Sequence, residues 1–241
     1  MKALIFAAGL GERMRPLTDT TPKPLLPADG KPLIVWHLEK LAACGIRDIV
    51  VNTSWLAEQF PRTLGDGARW GLRITYSYEG EKPLETGGGM LHALPLLGME
   101  PFLLVNGDIW TDFDFASLPS SPPGLAHLVM VDTPGYAAQG DFALGDDGLM
   151  RAEGSKKLTY AGIGVYRPEM LHGWRETIGA APGTERTPPA FKLAPLLRAA
   201  MADGRVSGEH HGGAWTDVGT PERLRQLDAS LMRDEGTSGA R

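Results

Sequence analysis

The densest group of residues able to handle an anion lies near the amino terminus, in Ala8-Gly9-Leu10-Gly11-Glu12-Arg13-Met14-Arg15-Pro16. Glycines at 9 and 11 let the backbone approach a ligand closely, and successive N–H groups of such a turn can cradle phosphate. Arg13 and Arg15 add guanidinium charge to the same connection, and Lys23 follows in Thr21-Pro22-Lys23-Pro24-Leu25. Prolines on both sides of Lys23 restrict the backbone, so its position is constrained. A dinucleotide fingerprint would need a third glycine where Met14 stands, and a P-loop would end in Gly-Lys-Ser/Thr, which is missing. Taken alone, the segment fits either an anion-binding loop or a turn with solvated charges.

Other groups carry less. His210 and His211 fall on opposite faces of a predicted strand, so they are poorly placed to share one ion. Asp112 and Asp114 fit a helix cap and a solvated turn. The six tryptophans are scattered without basic interleaving, which argues against a nucleic-acid stacking platform. Cys44, beside Gly45 at a predicted helix end, reads as a small packing residue. Asn52-Thr53-Ser54 matches a glycosylation acceptor, which has meaning only in a secreted chain.

The elements that must position the loop follow an alternating pattern. Ala3 to Ala8 is a short apolar run ending in glycine, the mark of a buried strand feeding a loop. Pro32 suits a first helical turn, Ile34, Leu38 and Leu41 recur at helical spacing, and Gly45 stops the helix. Strands are predicted at Ile46–Asn52, Leu72–Tyr78 and Pro101–Val105, with a helix over Gly89–Leu97. Such alternation implies a parallel or mixed sheet covered on both faces. Further on, Leu125–Asp132, Phe142–Leu144 and Leu158–Tyr166 read as strands between Gly and Pro turns, an antiparallel excursion. A helix over Phe191–Ala202, strands at Val206–His210 and Ala214–Val218, and a helix from Pro221 to about Met232 complete the pattern. AAPGTERTPP, residues 180–189, reads as a surface loop.

Composition sets the outer bounds. The 241 residues carry 24 Lys+Arg against 29 Asp+Glu, a formal charge of -5 that disfavours nonspecific nucleic-acid or polybasic membrane binding. At 42% hydrophobic and 22% charged residues the chain is of ordinary globular composition, which excludes wholesale disorder. One cysteine excludes an internal disulfide and a cysteine zinc site. The start MKALIFAAGLGER is too short an apolar run for a signal peptide, and no stretch nears the roughly 20 apolar residues of a spanning helix. These features lead to the expectation of a soluble, cytoplasmic protein. Residues 1–233 are expected to form one domain, monomeric by default, and 234–241 a disordered tail.

The stretch Ala7–Pro27, AAGLGERMRPLTDTTPKPLLP, resembles the signature of sugar-1-phosphate nucleotidyltransferases, a GxGxR loop followed by a PKP-type lysine. The likeness continues in family order. Pro83-Leu84-Glu85-Thr86-Gly87-Gly88 resembles the base- and sugar-facing segment, and Val105-Asn106-Gly107-Asp108 the metal-binding strand end. Phe191-Lys192 and Trp215-Thr216-Asp217-Val218-Gly219-Thr220 resemble the later phosphate and metal segments. The resemblance implies a Rossmann-like, three-layer α/β nucleotidyltransferase fold with a mixed, mostly parallel central sheet. It implies UTP and a sugar 1-phosphate as substrates and Mg²⁺ as cofactor.

It also implies roles for residues. Gly9, Gly11, Glu12 and Arg13 would form the triphosphate loop, with Arg13 neutralising β/γ charge and Lys23 stabilising the α-phosphate. Glu85, Gly87 and Gly88 would lie against the base, and Asn106 would bond the nucleotide or sugar. Lys192 would hold the sugar phosphate, with Gly140, Asp141 and Gly162 near sugar hydroxyls. Asp108 and Asp217 would hold the metal, each placed by a buried strand; if those strands are neighbours, both carboxylates meet at one sheet edge. A phosphate monoester, with a second pKa near ~6, is largely dianionic at neutral pH, so the reaction needs charge neutralisation and placement and no general base. A guanylyl- or uridylyltransferase for mannose, glucose or another hexose 1-phosphate is the nearest alternative. A non-catalytic nucleotide- or sugar-binding regulator would have lost a reacting-centre charge, and Arg13, Lys23, Asp108 and Asp217 are all present.

Overall fold

The computed structural model describes residues 1–238, with side chains through Arg233. Seven strands build one sheet: β1 (Lys2–Phe6), β2 (Asp48–Thr53), β3 (Arg73–Tyr78), β4 (Phe102–Asn106), β5 (Ala126–Val131), β6 (Thr159–Tyr166) and β7 (Val206–His210). Their spatial order is β7-β5-β6-β4-β1-β2-β3. β1 pairs in parallel with β2 and β4, β2 with β3, and β7 with β5. β6 runs antiparallel between β4 and β5, so the sheet is mixed and mostly parallel, as expected.

The helices are α1 (Leu33–Ala43), α2 (Gln59–Leu64), α3 (Glu85–Leu97), α4 (Trp174–Ile178), α5 (Ala194–Ala202) and α6 (Pro221–Ser238). Side chains of β1 point alternately to the two faces, and both faces are covered, so Ala3, Leu4 and Ile5 are all fully buried. Ala3 and Ile5 join Val51, Leu103 and Val105 in the layer against α1 and α2. Leu4 joins Val50, Phe102 and Leu104 against α3 and α5 on the other side. A third cluster packs Leu224, Leu227 and Leu231 of α6 on Met14, Leu26 and Leu33, under the amino-terminal loop. α1 ends as its sequence predicts, with Gly45 in the left-handed region at φ 85° just past the Cys44 cap.

Four elements depart from the sequence reading by more than a residue or two at an end. α3 starts at Glu85 and takes in three glycines that helix propensity disfavours; their packing overrides propensity, as described below. The helix expected from Phe191 begins at Ala194, because residues 190–193 run against the start of α3. Trp215–Asp217 does not enter the main sheet but pairs antiparallel with Ile109–Thr111 as a separate ribbon. α6 continues past Met232 to Ser238, and residues 239–241 of the expected tail lie outside the described residues.

Candidate active site

Register brings the carboxyl ends of four strands level: Phe6 lies opposite both Asn52 and Asn106, and Asn52 opposite Ser77. The segments that follow open on a common cleft of about 630 Å³, lined by Gly9, Gly11, Glu12, Arg13, Lys23 and Asp108 among others. This is the edge where open α/β sheets bind ligands.

The amino-terminal loop is pinned from below. Gly11 adopts φ 65°, and a Cβ there would sit 2.8 Å from Thr18 Cγ2. Its carbonyl accepts from Thr18 Oγ1 at 2.8 Å and from the Met14 N–H at 2.8 Å, with Met14 buried. Gly9 is different: a Cβ there would meet no atom of the described residues within 4 Å. No acceptor among the described residues takes the N–H groups of Gly9 and Leu10. Arg13 is exposed at the cleft and has no partner among the described residues.

Lys23 opens a short 3₁₀ turn held by Leu25 N–H to Pro22 O at 2.8 Å. Its side chain is 10% exposed and its Nζ donates to Asp108 Oδ2 at 2.5 Å, while Asp108 is 39% exposed toward solvent. Gly107, between Asn106 and Asp108, donates to Phe6 O at 2.8 Å where a Cβ would collide with that same oxygen. Gly162 interrupts the β6 register at φ 74°, and a Cβ there would lie 2.5 Å from Asn106 Nδ2, so this glycine makes room for the Asn106 amide.

Asp217 reaches the same neighbourhood by another route than expected. Its strand is no neighbour of β4; the ribbon sets Asp217 opposite Ile109, and Val218 N–H donates to Asp108 O at 2.9 Å. Asp217 Oδ1 accepts from Arg223 Nη1 at 2.9 Å and from the Tyr136 hydroxyl. Among the described residues no group of three or more His, Cys, Asp or Glu side chains could cage a metal. Asp108 Oδ1 and Asp217 Oδ2 accept no hydrogen bond among the described residues, and magnesium commonly takes one or two carboxylates together with substrate phosphates and retained waters.

Other expected residues lie elsewhere. Gly87 and Gly88 both donate their N–H to Phe191 O, at 2.8 and 3.0 Å, and so have none left for a base. They are packing glycines: a Cβ would sit 2.5 Å from the Phe191 ring or 2.4 Å from Pro189 O. Glu85, held at φ 61°, and Thr86 line the cleft in their place. Gly140 packs on the Lys157 backbone, and the Asp141 carboxylate accepts from Tyr160 N–H at 2.9 Å, so neither lines the cleft. Lys192 is exposed outside it and makes no hydrogen bond or ion pair among the described residues. His211 bonds Asp112 at 2.7 Å, and Asp114 caps a short turn by accepting from Ala116 N–H.

The cleft also holds two residues that sequence reasoning does not assign to a site, Asn52 entering it only as a strand end and as part of a glycosylation acceptor match. Asn52, 3% exposed, accepts from Ala7 N–H through Oδ1 at 2.6 Å and donates to Glu79 Oε1 at 2.6 Å. Glu79, 5% exposed, accepts from Leu84 N–H at 2.8 Å through Oε2. Burial pushes the Glu79 carboxyl above its ordinary range, opposed by the bonds from Leu84 and Asn52. The available signal was position, since each polar residue follows or ends a strand at the ligand-binding edge.

Residues 2–121 match the family described as Nucleotidyl transferase. The chain is 49% identical to N-acetylmuramate alpha-1-phosphate uridylyltransferase of Neisseria meningitidis serogroup B, over 95% of this chain and 97% of that protein. This chain belongs to the nucleotidyl transferase family. A Caulobacter vibrioides protein of the same description is 35% identical to this nucleotidyl transferase, over 95% and 96% of the two chains. Mannose-1-phosphate guanylyltransferase of Mycobacterium tuberculosis is 30% identical over 99% of this chain and 66% of its own length. The fold is shared with a crystal structure from Bacillus anthracis assigned as a glucose-1-phosphate thymidylyltransferase: TM-score 0.80, 21% identity, 95% and 94% coverage. Among the described residues of this nucleotidyl transferase no helix is long and apolar enough to cross a membrane.

Proposed function

We propose that this nucleotidyl transferase moves a uridylyl group from UTP to N-acetylmuramic acid 1-phosphate, giving UDP-N-acetylmuramic acid and pyrophosphate. The observation that carries the reaction type is the near-buried Lys23 ammonium held on Asp108 in a cleft whose glycine loop keeps N–H groups and Arg13 without a partner among the described residues. The choice of base and sugar rests on the two relatives that carry that activity in their description at 49% and 35% identity. In this reading the protein works in the cytoplasm, in the recycling of a cell-wall sugar.

In this reading an oxygen of the sugar phosphate attacks the α-phosphorus of UTP, the bond to the β-phosphate oxygen breaks, and pyrophosphate departs with that electron pair. Gly9 and Leu10 N–H groups, with Gly11, Glu12 and Arg13 of the same loop, bind and orient the β- and γ-phosphates. Lys23, positioned by Asp108 and the Pro22 turn, takes the charge that builds on the α-phosphate oxygens. Asp108 and Asp217 would hold Mg²⁺, which supplies further charge neutralisation there. Asn106, given room by Gly162, holds the nucleotide or sugar beside them. Glu85 and Thr86 form the wall against the base.

The test is pyrophosphate release by the purified protein with Mg²⁺, crossing UTP, CTP, GTP and dTTP with the 1-phosphates of N-acetylmuramic acid, N-acetylglucosamine, glucose and mannose. Turnover is expected for UTP with the muramic acid phosphate. Turnover confined to another pair overturns the substrate, and silence from folded protein overturns catalysis.

A further inference from the structure

The bonds from Ala7 through Asn52 and Glu79 to Leu84 join three separate segments across the inside of the cleft. Ala7 is the root of the triphosphate loop, and Leu84 precedes Glu85 and Thr86 on the opposite wall. Asn52, next to last in β2, and Glu79, just past β3, stand at the ends of the two strands between those walls, and both line the cleft. Gly89 of α3 has no side chain because Glu79 Oε1 and Asn52 Nδ2 occupy the space, 2.4 and 3.0 Å from where its Cβ would be. Three bonds of 2.6 to 2.8 Å between nearly fully buried groups make a stiff link, and each donor meets one acceptor. We infer that Asn52 and Glu79 are positioning residues: a polar strut that sets the span between the triphosphate loop and the base-facing wall, and thereby the affinity for the nucleoside triphosphate. A preset span spares binding the cost of ordering two walls.

The direction of the bonds is what the strut depends on. Glu79 offers two acceptors to two donors, and Asn52 offers one of each. Glu79→Gln turns an NH₂ group toward either the Asn52 amide or the Leu84 N–H, so one donor is left facing a donor. Asn52→Asp sets two carboxylates against each other across a 2.6 Å contact, which forces a proton onto the pair or pushes them apart. The double variant carrying both changes restores every bond in mirrored order. The carboxylate introduced at position 52 would accept from Ala7 N–H and from the amide NH₂ introduced at position 79. The carbonyl of that same new amide would accept from Leu84 N–H.

The inference rests on the nucleotidyl-transfer reading, and the experiment separates the two. Wild type and the three variants are assayed by pyrophosphate release, titrating UTP and the sugar 1-phosphate separately, well below each melting temperature. Each single variant is expected to raise the KM for UTP about tenfold, the scale of one buried group left unmatched, with the KM for the sugar phosphate unchanged. The double variant is expected to return to within about threefold of wild type. Single variants that melt earlier yet keep the wild-type KM for UTP would reduce the strut to a structural bond and overturn it. Failure of the double variant to recover would overturn it too, by showing that the Glu79 carboxylate itself is required. Wild-type inactivity across the substrate panel would sink the functional reading, and the strut's role in binding UTP with it.

Discussion

Replacing Asp108 by Asn changes one atom's charge at the point where Lys23 is held, and its effects on stability and on turnover should separate. The Lys23 side chain is 10% exposed and Asp108 39%, so the pair is neither a surface bridge nor a buried one. Surface pairs contribute about 1 kcal/mol or less, and the half-open position of Asp108 puts this contact near that value. Asn keeps an oxygen that can accept from Lys23 Nζ, so the ammonium is not left without a partner. At ~1 kcal/mol, melting should fall by roughly 2–4 °C for a chain of this size. Against a reserve on the order of 5–15 kcal/mol, the variant stays folded. Turnover should fall by ~10²-fold or more, about 2.7 kcal/mol of barrier, the scale of losing one aimed charge in an active site. The assay is pyrophosphate release at saturating UTP and sugar phosphate over a range of Mg²⁺ concentrations, paired with a thermal melt of the same sample. Near-normal turnover in folded Asp108→Asn protein would refute the assignment. So would a loss of activity matched by a large drop in melting temperature, because the carboxylate would then be serving the fold.

Four other outcomes are expected. Lys23→Ala should lower kcat by at least about tenfold while the KM for UTP moves much less; a rise in KM alone would give the lysine a ground-state role. Gly88→Ala, whose Cβ would sit 2.4 Å from Pro189 O, should lose about 1–3 kcal/mol of stability by urea denaturation, because backbone cannot yield easily. Gly9→Ala, with no atom of the described residues in reach of the new Cβ, should keep full stability and lose affinity for the triphosphate, and an unchanged KM for UTP would show that nothing binds over that glycine. His37 is fully buried, donates to Ile109 O at 2.9 Å, and is lowered by burial to about 4. The unfolded chain therefore binds the extra proton first, and stability present above pH 6.5 is lost as pH falls toward 4. Between pH 7 and 5 the loss from this one group is about 2 kcal/mol. Comparing denaturation of wild type and His37→Gln at the two pH values isolates it, and equal slopes would show His37 free to protonate in the fold.

Much of this nucleotidyl transferase was legible in its sequence because the signals are local. An apolar run ended by Gly9 reads as a strand feeding a loop, and Gly45 as a helix stop, from a few neighbouring residues, and both form as read. Lys23 between two prolines and Asp108 just past a buried strand are placed by their own neighbours in the chain, and the structure brings them together. Other features were settled only by contacts between distant segments. Gly87 and Gly88 have the composition of a ligand-facing turn, but whether their N–H groups meet a base or Phe191 depends on where residues 189–191 pack. The segment of Asp217 meets that of Asp108 through a ribbon outside the main sheet, a pairing that short strands of three residues do not announce. Asn52 and Glu79 stand 27 positions apart and owe their link to the parallel register of β2 and β3, which levels the ends of the two strands. Propensity and periodicity act over a few residues. The partners of a buried polar group are chosen by the packing of the whole sheet, and that choice is made only in three dimensions.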